Sequence, residues 1–146
     1  MSKQKKGTLI NVIDKTSTDM GGRLLKKWLD QPLLNKSLIN RRLDMVEYFY
    51  NNIMEMDEIK NILNSIYDIE RLSSKVSNGN CNGRDLISLK KSISLLPKLK
   101  SLLILTEESG LVSIGDNIDS LTDIHQLLED SINDNPPITV KEGGLI

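Results

Sequence analysis

The amino-acid sequence predicts an all-α protein: a multi-helix, bundle-like core domain with short extended segments at both ends. Three observations carry this. Leucine and isoleucine recur at three- and four-residue spacing, which gathers them on one side of a helix with 3.6 residues per turn. The runs are punctuated by Pro, Gly and clusters of Ser, Asn and Asp, which stop helices and form turns. Aromatic residues are few (one Trp, one Phe and three Tyr), so the core has to be aliphatic.

Taken in order, residues 1–7 read as a polar, Lys-rich start closed by Gly7, and Thr8–Ile13 as a short apolar stretch of extended character. The hydroxyl and acidic residues of DKTSTDM are natural N-caps for a first helix over Asp19–Asp30, with Met20, Leu24, Leu25, Trp28 and Leu29 as its apolar stripe. Gly21 and Gly22 in its first turn cost roughly 1 kcal/mol each relative to Ala, which predicts close approach of another backbone there. Pro32 stops the helix. Asn35 caps a second helix, Lys36–Tyr50, whose stripe is Ile39, Leu43, Val46 and Tyr50. Short helices follow over Asp57–Asn64 and Asp68–Val76, then a loop, SNGNCNG, over Ser77–Gly83. A long helix over Arg84–Leu105 has Leu86, Leu89, Ile93, Leu96 and Leu103 at heptad-like spacing, with a kink or break expected at Pro97. Gly110 and Gly115 bracket a connector, and a last helix covers Asn117–Ile132. In DNPPITVKEGGLI, Asn-Pro-Pro is a stop, ITV an extended triplet and Gly-Gly a turn. The expected organisation is an extended lead-in over 1–17, a helical core domain over 18–134, and an extended segment over 135–146. The ending on GGLI suggests a piece excised from a longer chain.

Composition narrows the function classes. A length of 146 residues suits one domain with a real core, and 38% hydrophobic with 27% charged residues suits a soluble helical protein. The net charge of −1 gives no overall basic field for phosphate backbones, and the scarcity of aromatics disfavours a base-stacking platform. The small basic clusters Lys3/Lys5/Lys6, Arg23/Lys26/Lys27, Arg41/Arg42 and Lys90/Lys91 read as solvated faces. Cys81 is the single cysteine, so no internal disulfide forms, and a reducing cytoplasm is expected. No apolar run is long enough to span a membrane.

The chemistry-bearing patterns are absent. There is no G-x-x-x-x-G-K-[ST] phosphate loop, no G-x-G-x-x-G after a strand, and one His with one Cys cannot furnish a structural zinc site. His125 reads as a boundary residue of the last helix rather than a general base, and Cys81 as an unreactive loop thiol. Asp68 and Glu70, two apart, would point in different directions on a helix; Glu70 and Arg71 suit surface or interhelix pairing. Asp116 and Asp119 suit a helix start. Trp28 reads as a core residue of its stripe, or else as an anchor for a neighbouring domain beside Arg23, Lys26 and Lys27. The expectation is no enzyme activity, no catalytic residues, and no cofactor or metal in this chain.

Four blocks take the reading further. KKGTLINVIDKTSTDMGGRLLKKWLDQPL (Lys5–Leu33) resembles the opening of the core, or lever, domain (domain III) of MutS-type DNA mismatch-repair ATPases, through Gly7, Asp14, Thr16, Thr18, Met20, Gly21, Arg23, Leu24, Leu25, the pair Lys26 and Lys27, Trp28, Leu29, Pro32 and Leu33. INRRLDMVEYF resembles the family's next helix through Arg42, Leu43, Asp44, Val46 and Glu47. Tyr67–Lys100 resembles its D-[IL]-E-R-L and N-x-R-D-L blocks, and DNPPITVKEGGLI the approach to the lever helix that leads to the DNA clamp. Gly22 and Gly83 depart from the usual pattern without disturbing the order of the blocks.

The resemblance implies a role by position. Proteins of this family scan mismatched double-stranded DNA as dimers, clamp it, and use ATP and Mg to signal to MutL. Their core domain joins the ATPase, clamp and mismatch-recognition domains. Neither the mismatch reader's Phe-x-Glu motif nor a nucleotide-binding domain occurs here, and the clamp insertion would lie beyond Ile146. The implied role is therefore a structural and coupling fragment whose partners are the other domains and a second subunit. Its candidate interdomain contact is Gly21, Arg23, Lys27 and Trp28 on the first helix. A freestanding helical protein–protein adaptor is the alternative; a stand-alone DNA-binding module would require duplex affinity that this charge does not favour.

Overall fold

The computed structural model describes residues 7–137 and Gly144; among these there are nine helices and no strand. They are α1 (Leu9–Ile13), α2 (Asp19–Asp30), α3 (Lys36–Asn51), α4 (Ile53–Asn64), α5 (Ile69–Ser77), α6 (Gly83–Ser94), α7 (Leu96–Leu105), α8 (Ser109–Asp116) and α9 (Thr122–Ser131). None is long and apolar enough to cross a membrane. The predicted ITV triplet and Gly143 of the Gly-Gly turn lie outside the described residues.

Local chemistry sets most helix starts. The Thr18 hydroxyl accepts from the Gly21 amide at 3.0 Å to open α2, and Asn35 accepts from Leu38 at 3.1 Å to open α3. Asp68 does the same for α5 through the Arg71 amide at 3.1 Å. At α6 the exchange is reciprocal: the Asp85 amide donates to the Asn82 side chain at 2.9 Å, and the Asn82 amide donates to the Asp85 carboxylate at 3.2 Å. Glu108 opens α8 by accepting from Leu111 at 2.7 Å.

Pro97 breaks the long helix expected over Arg84–Leu105. It sits in the first turn of α7, where a missing amide proton costs nothing, and Leu95 marks the end of α6. Other expectations are corrected. Thr8–Ile13 is not extended: Leu9–Ile13 closes a short helix, with the Asn11 amide donating to Thr8 at 3.0 Å and Asp14 to Ile10 at 2.9 Å. α4 begins at Ile53, four residues before Asp57, because the chain re-enters a helix directly after the C-cap of α3, Asn52. The polar loop is shorter than Ser77–Gly83, since Ser77 ends α5 and Gly83 opens α6.

Gly110 and Gly115 do not bracket a connector; they lie in α8 and let it pack closely. A Cβ on Gly110 would meet Met45 of α3 at 2.8 Å, and one on Gly115 would meet Leu103 Cβ at 3.1 Å and the Lys100 carbonyl oxygen at 3.2 Å on α7. The last helix starts at Thr122 rather than Asn117, because Leu121 turns left-handed (φ 48°) and its amide donates to Asp119 at 2.9 Å.

The interior consists of two aliphatic clusters. Ile59, Ile62, Ile66, Leu99, Leu103 and Leu111 join α4, α7 and α8, with Met20, Met45, Tyr48 and Phe49 packed against them. Leu72, Leu89, Ile93 and Leu128 join α5, α6 and α9. Ile69 and Leu96 pack against both. Polar fasteners complete the body. Ser92 is fully buried, accepts from the Tyr67 amide at 3.0 Å and donates to the Ser88 carbonyl at 2.8 Å. Lys90, expected on a solvated face, is buried and bridges Asp134 at 2.9 Å and Glu129 at 3.0 Å. Asp134 and then Glu129 raise its pKa, so it stays charged.

Candidate interdomain surface

α2 carries the four residues singled out from sequence, and the structure gives each a different setting. Arg23 points its guanidinium at α5. Its two terminal nitrogens donate to the two oxygens of Asp68, both at 2.8 Å, and its Nε donates to Glu70 at 3.0 Å. This is the forked geometry in which arginine binds carboxylate most firmly. Asp68 and Glu70 do not diverge as expected, because Asp68 precedes the helix as its N-cap and both reach the same cation. The predicted interhelix pairing of Glu70 is present, with Arg23 as its partner. The Arg23 guanidinium, helped by the Arg71 amide, holds the Asp68 carboxyl below the usual carboxylate range against the opposing effect of burial.

Gly21 lies against the chain's own capping turn. A Cβ there would stand 3.1 Å from the Thr18 hydroxyl and 3.3 Å from Thr16 Cβ, so the glycine accommodates the chain's own capping turn. Thr16 is itself bent back onto Asp14, to which its hydroxyl donates at 2.7 Å. Lys27 is exposed and forms no ion pair with a described residue.

Trp28 is not a core residue: it retains 40% of its accessible surface. The Arg42 guanidinium carbon lies 3.5 Å from the centroid of its ring, a cation–π stack that joins α2 to α3. Sequence spacing gave no hint of this pairing, which brings together residues from two of the recognisable blocks. Nor does the stripe predicted for α3 face inward. Val46 is 64% and Tyr50 80% exposed, while Met45, Tyr48 and Phe49 turn toward the core. Tyr48 also donates to Glu55, tying α3 to α4, and that bond pushes its phenol up to about 12. Leu24, Trp28, Leu29, Leu38 and Leu43 are exposed as well, so α2 and α3 each carry apolar side chains open to solvent. Where such side chains form one patch, monomeric soluble proteins rarely leave it uncovered unless something binds it.

Beside these side chains an open cleft of about 430 Å³ runs between α3 and α8. Leu33, Leu38, Met45 and Ile114 line it, and Arg41 and Arg42 border it. The single histidine and the single cysteine lie elsewhere. His125 lies half-buried in a recess with Ile93, Pro97 and Gln126, and its ring has no hydrogen bond to a described residue. Ser94 lines the same recess, but its hydroxyl donates to the Lys91 carbonyl at 2.8 Å. No base–nucleophile pair is formed there. Burial, and then the Asp85 carboxylate, push the Cys81 thiol up, away from the reactive thiolate. Among the described residues no group of three His, Cys, Asp or Glu is placed to hold a metal.

Comparison with known families matches residues 1–146 to MutS domain III. The chain is 50% identical over 144 residues to a DNA mismatch repair protein MutS of Ruminiclostridium cellulolyticum, covering 99% of this chain and 16% of that protein. It is 49% identical to the protein of the same name from Staphylococcus haemolyticus, with 98% and 16% covered, and 46% identical to that from Caldicellulosiruptor saccharolyticus, with 100% and 17% covered. The chain spans about a sixth of the length of these curated relatives.

Proposed function

The chain belongs to the MutS domain III family, and from that premise we propose that it is the structural link of a mismatch-repair protein, carrying displacement between ATPase, clamp and mismatch-recognition domains. The observation that supports this most is the set of outward apolar side chains on α2 and α3, carried by a tightly packed body. A close-packed interior moves between discrete arrangements rather than deforming, so a domain docked on those side chains would shift the body as a unit. Arg23 on Asp68 and Trp28 under Arg42 fix the angle at which α2 meets the rest.

Nucleotide chemistry is assigned to the remainder of the parent protein, with its ATP and Mg. This chain has no phosphate loop to cradle a triphosphate, so no hydrolytic step is placed on its residues. In this reading the immediate partners are the other MutS domains and a second MutS subunit. Mismatched double-stranded DNA and MutL are engaged by the whole protein, in the cytoplasm.

Trp28→Ala in the full-length parent tests the role of α2. We expect ATP-induced release from a mismatched duplex to slow several-fold while the unfolding midpoint stays near wild type. Unaltered release with unaltered stability would remove α2 from the coupling path.

A further inference from the structure

After α9 the chain lies against α6 and is held there by side chains. Lys90 of α6 reaches Asp134 at 2.9 Å and Glu129 at 3.0 Å. Two residues further on, Pro136 is buried, although Asn133, Asp134 and Asn135 are exposed. Between Asp134–Pro136 and the side of α6 bearing Arg84, Ile87 and Ser88 an open recess of about 340 Å³ remains, so the segment is not packed tightly. Among the described residues no main-chain group of 133–136 bonds to α6; the Asn135 amide turns to the Asn133 side chain instead, at 3.5 Å. The ion pairs are lopsided. The Lys90 side chain keeps 9% of its surface, whereas Asp134 keeps 80% and Glu129 52%. The cation is fixed in the body, and the carboxylate carried by the segment stands in solvent, where water and salt compete for it.

We propose that residues 133–136 are a strap with two states, docked on α6 and released, and that Lys90 is the clasp that sets the balance between them. Glu129 makes release affordable to the body. It belongs to α9 and keeps Lys90 paired when Asp134 departs, so no buried ammonium is left without a carboxylate. In the docked state Asp134 takes the second bond and Pro136 is covered. In the released state Pro136 meets water, while α6 and α9 stay joined through Leu89, Ile93 and Leu128. Such an opening is local and lies well below the free energy of global unfolding. Salt favours release, because the exposed Asp134 arm is the one it screens most.

The strap is a property of this domain and stands or falls without the coupling role, since its readout uses neither nucleotide nor DNA. Pro136→Cys in the full-length parent puts a thiol at the covered position. N-ethylmaleimide, which is uncharged, labels it, and mass spectrometry of the labelled peptide gives the rate. We expect labelling to quicken about threefold or more between roughly 0.05 and 0.5 M salt, as the Debye length shrinks. Lys90→Met should raise the low-salt rate about threefold and remove the salt dependence, and Lys90→Arg should restore both. Ser92→Cys, at a fully buried position of α6, reports opening of the body, and its labelling should respond neither to salt nor to Lys90→Met. A salt-independent rate at position 136, a rate unmoved by Lys90→Met, immediate labelling in every variant, or labelling at position 92 that rises in step would each overturn the proposal.

Discussion

α2 and α6 are both twelve residues long, both amphipathic and both capped at their first turn, yet they end in opposite settings. α6 buries Gly83, Leu89, Lys90, Ser92 and Ile93; α2 buries nothing. A periodic apolar pattern thus marks a face that requires cover without saying whether the same stretch of chain supplies it. α6 is covered by α5, α7 and α9. α2 is held instead by a few specific contacts: Met20 on the first core cluster, Arg23 on α5, and Trp28 against Arg42.

The comparison can be broken at its strong end first. Ile93 is 1% exposed, so Ile93→Ala should destabilise the chain by about 2–5 kcal/mol in urea unfolding; a loss below about 1 kcal/mol would mean the α6 cluster is loosely packed. Gly115→Ala should cost about 1–3 kcal/mol from overpacking. The loss outweighs the roughly 1 kcal/mol gain in helix propensity, because the Lys100 carbonyl it meets is backbone and cannot swing away. A variant more stable than wild type would show that α7 and α8 can separate freely. Ser92→Ala should cost about 1 kcal/mol by removing the acceptor of the part-buried Tyr67 amide, and Ser92→Thr should not substitute, since no space surrounds it.

The weak end is tested by pH. The folded Asp68 carboxyl lies below its usual range. Its contribution is therefore present above the unfolded value near ~4 and is lost as pH falls through the folded value. Arg23→Ala brings the two values together, so the fall in urea midpoint on acidification below about pH 4 should become shallower than in wild type. Equal slopes would show that the Arg23 fork does not hold in solution. The smallest effect belongs to α3: Val46→Ser should leave stability within about 0.5 kcal/mol, whereas a loss above about 1 kcal/mol would place Val46 in the interior.

What sequence made legible was local. α2 was bounded correctly at both ends because Thr18 and Pro32 act on their immediate neighbours, and the break at Pro97 follows from proline's own chemistry. What it hid was tertiary. Gly110 and Gly115 look like loop residues until Met45 and Leu103 are seen against them. α3 carries apolar side chains on two faces, and the regular stripe Ile39–Leu43–Val46–Tyr50 was the one turned outward. On the candidate surface, Arg23 and Trp28 were singled out, but their partners Asp68 and Arg42 are fixed only by the path of the chain, since 45 residues separate Arg23 from Asp68. Beside Gly21 the nearest side chain is its own capping threonine, a contact that follows from the turn before α2.

Ile69 and Leu96 lie against both aliphatic clusters, so neither cluster has a boundary of its own at that point. The two clusters therefore share packing at Ile69 and Leu96 and form one continuous interior there. Trimming either one to alanine would take packing from both clusters at once, so a single side chain here weighs on both halves of the interior.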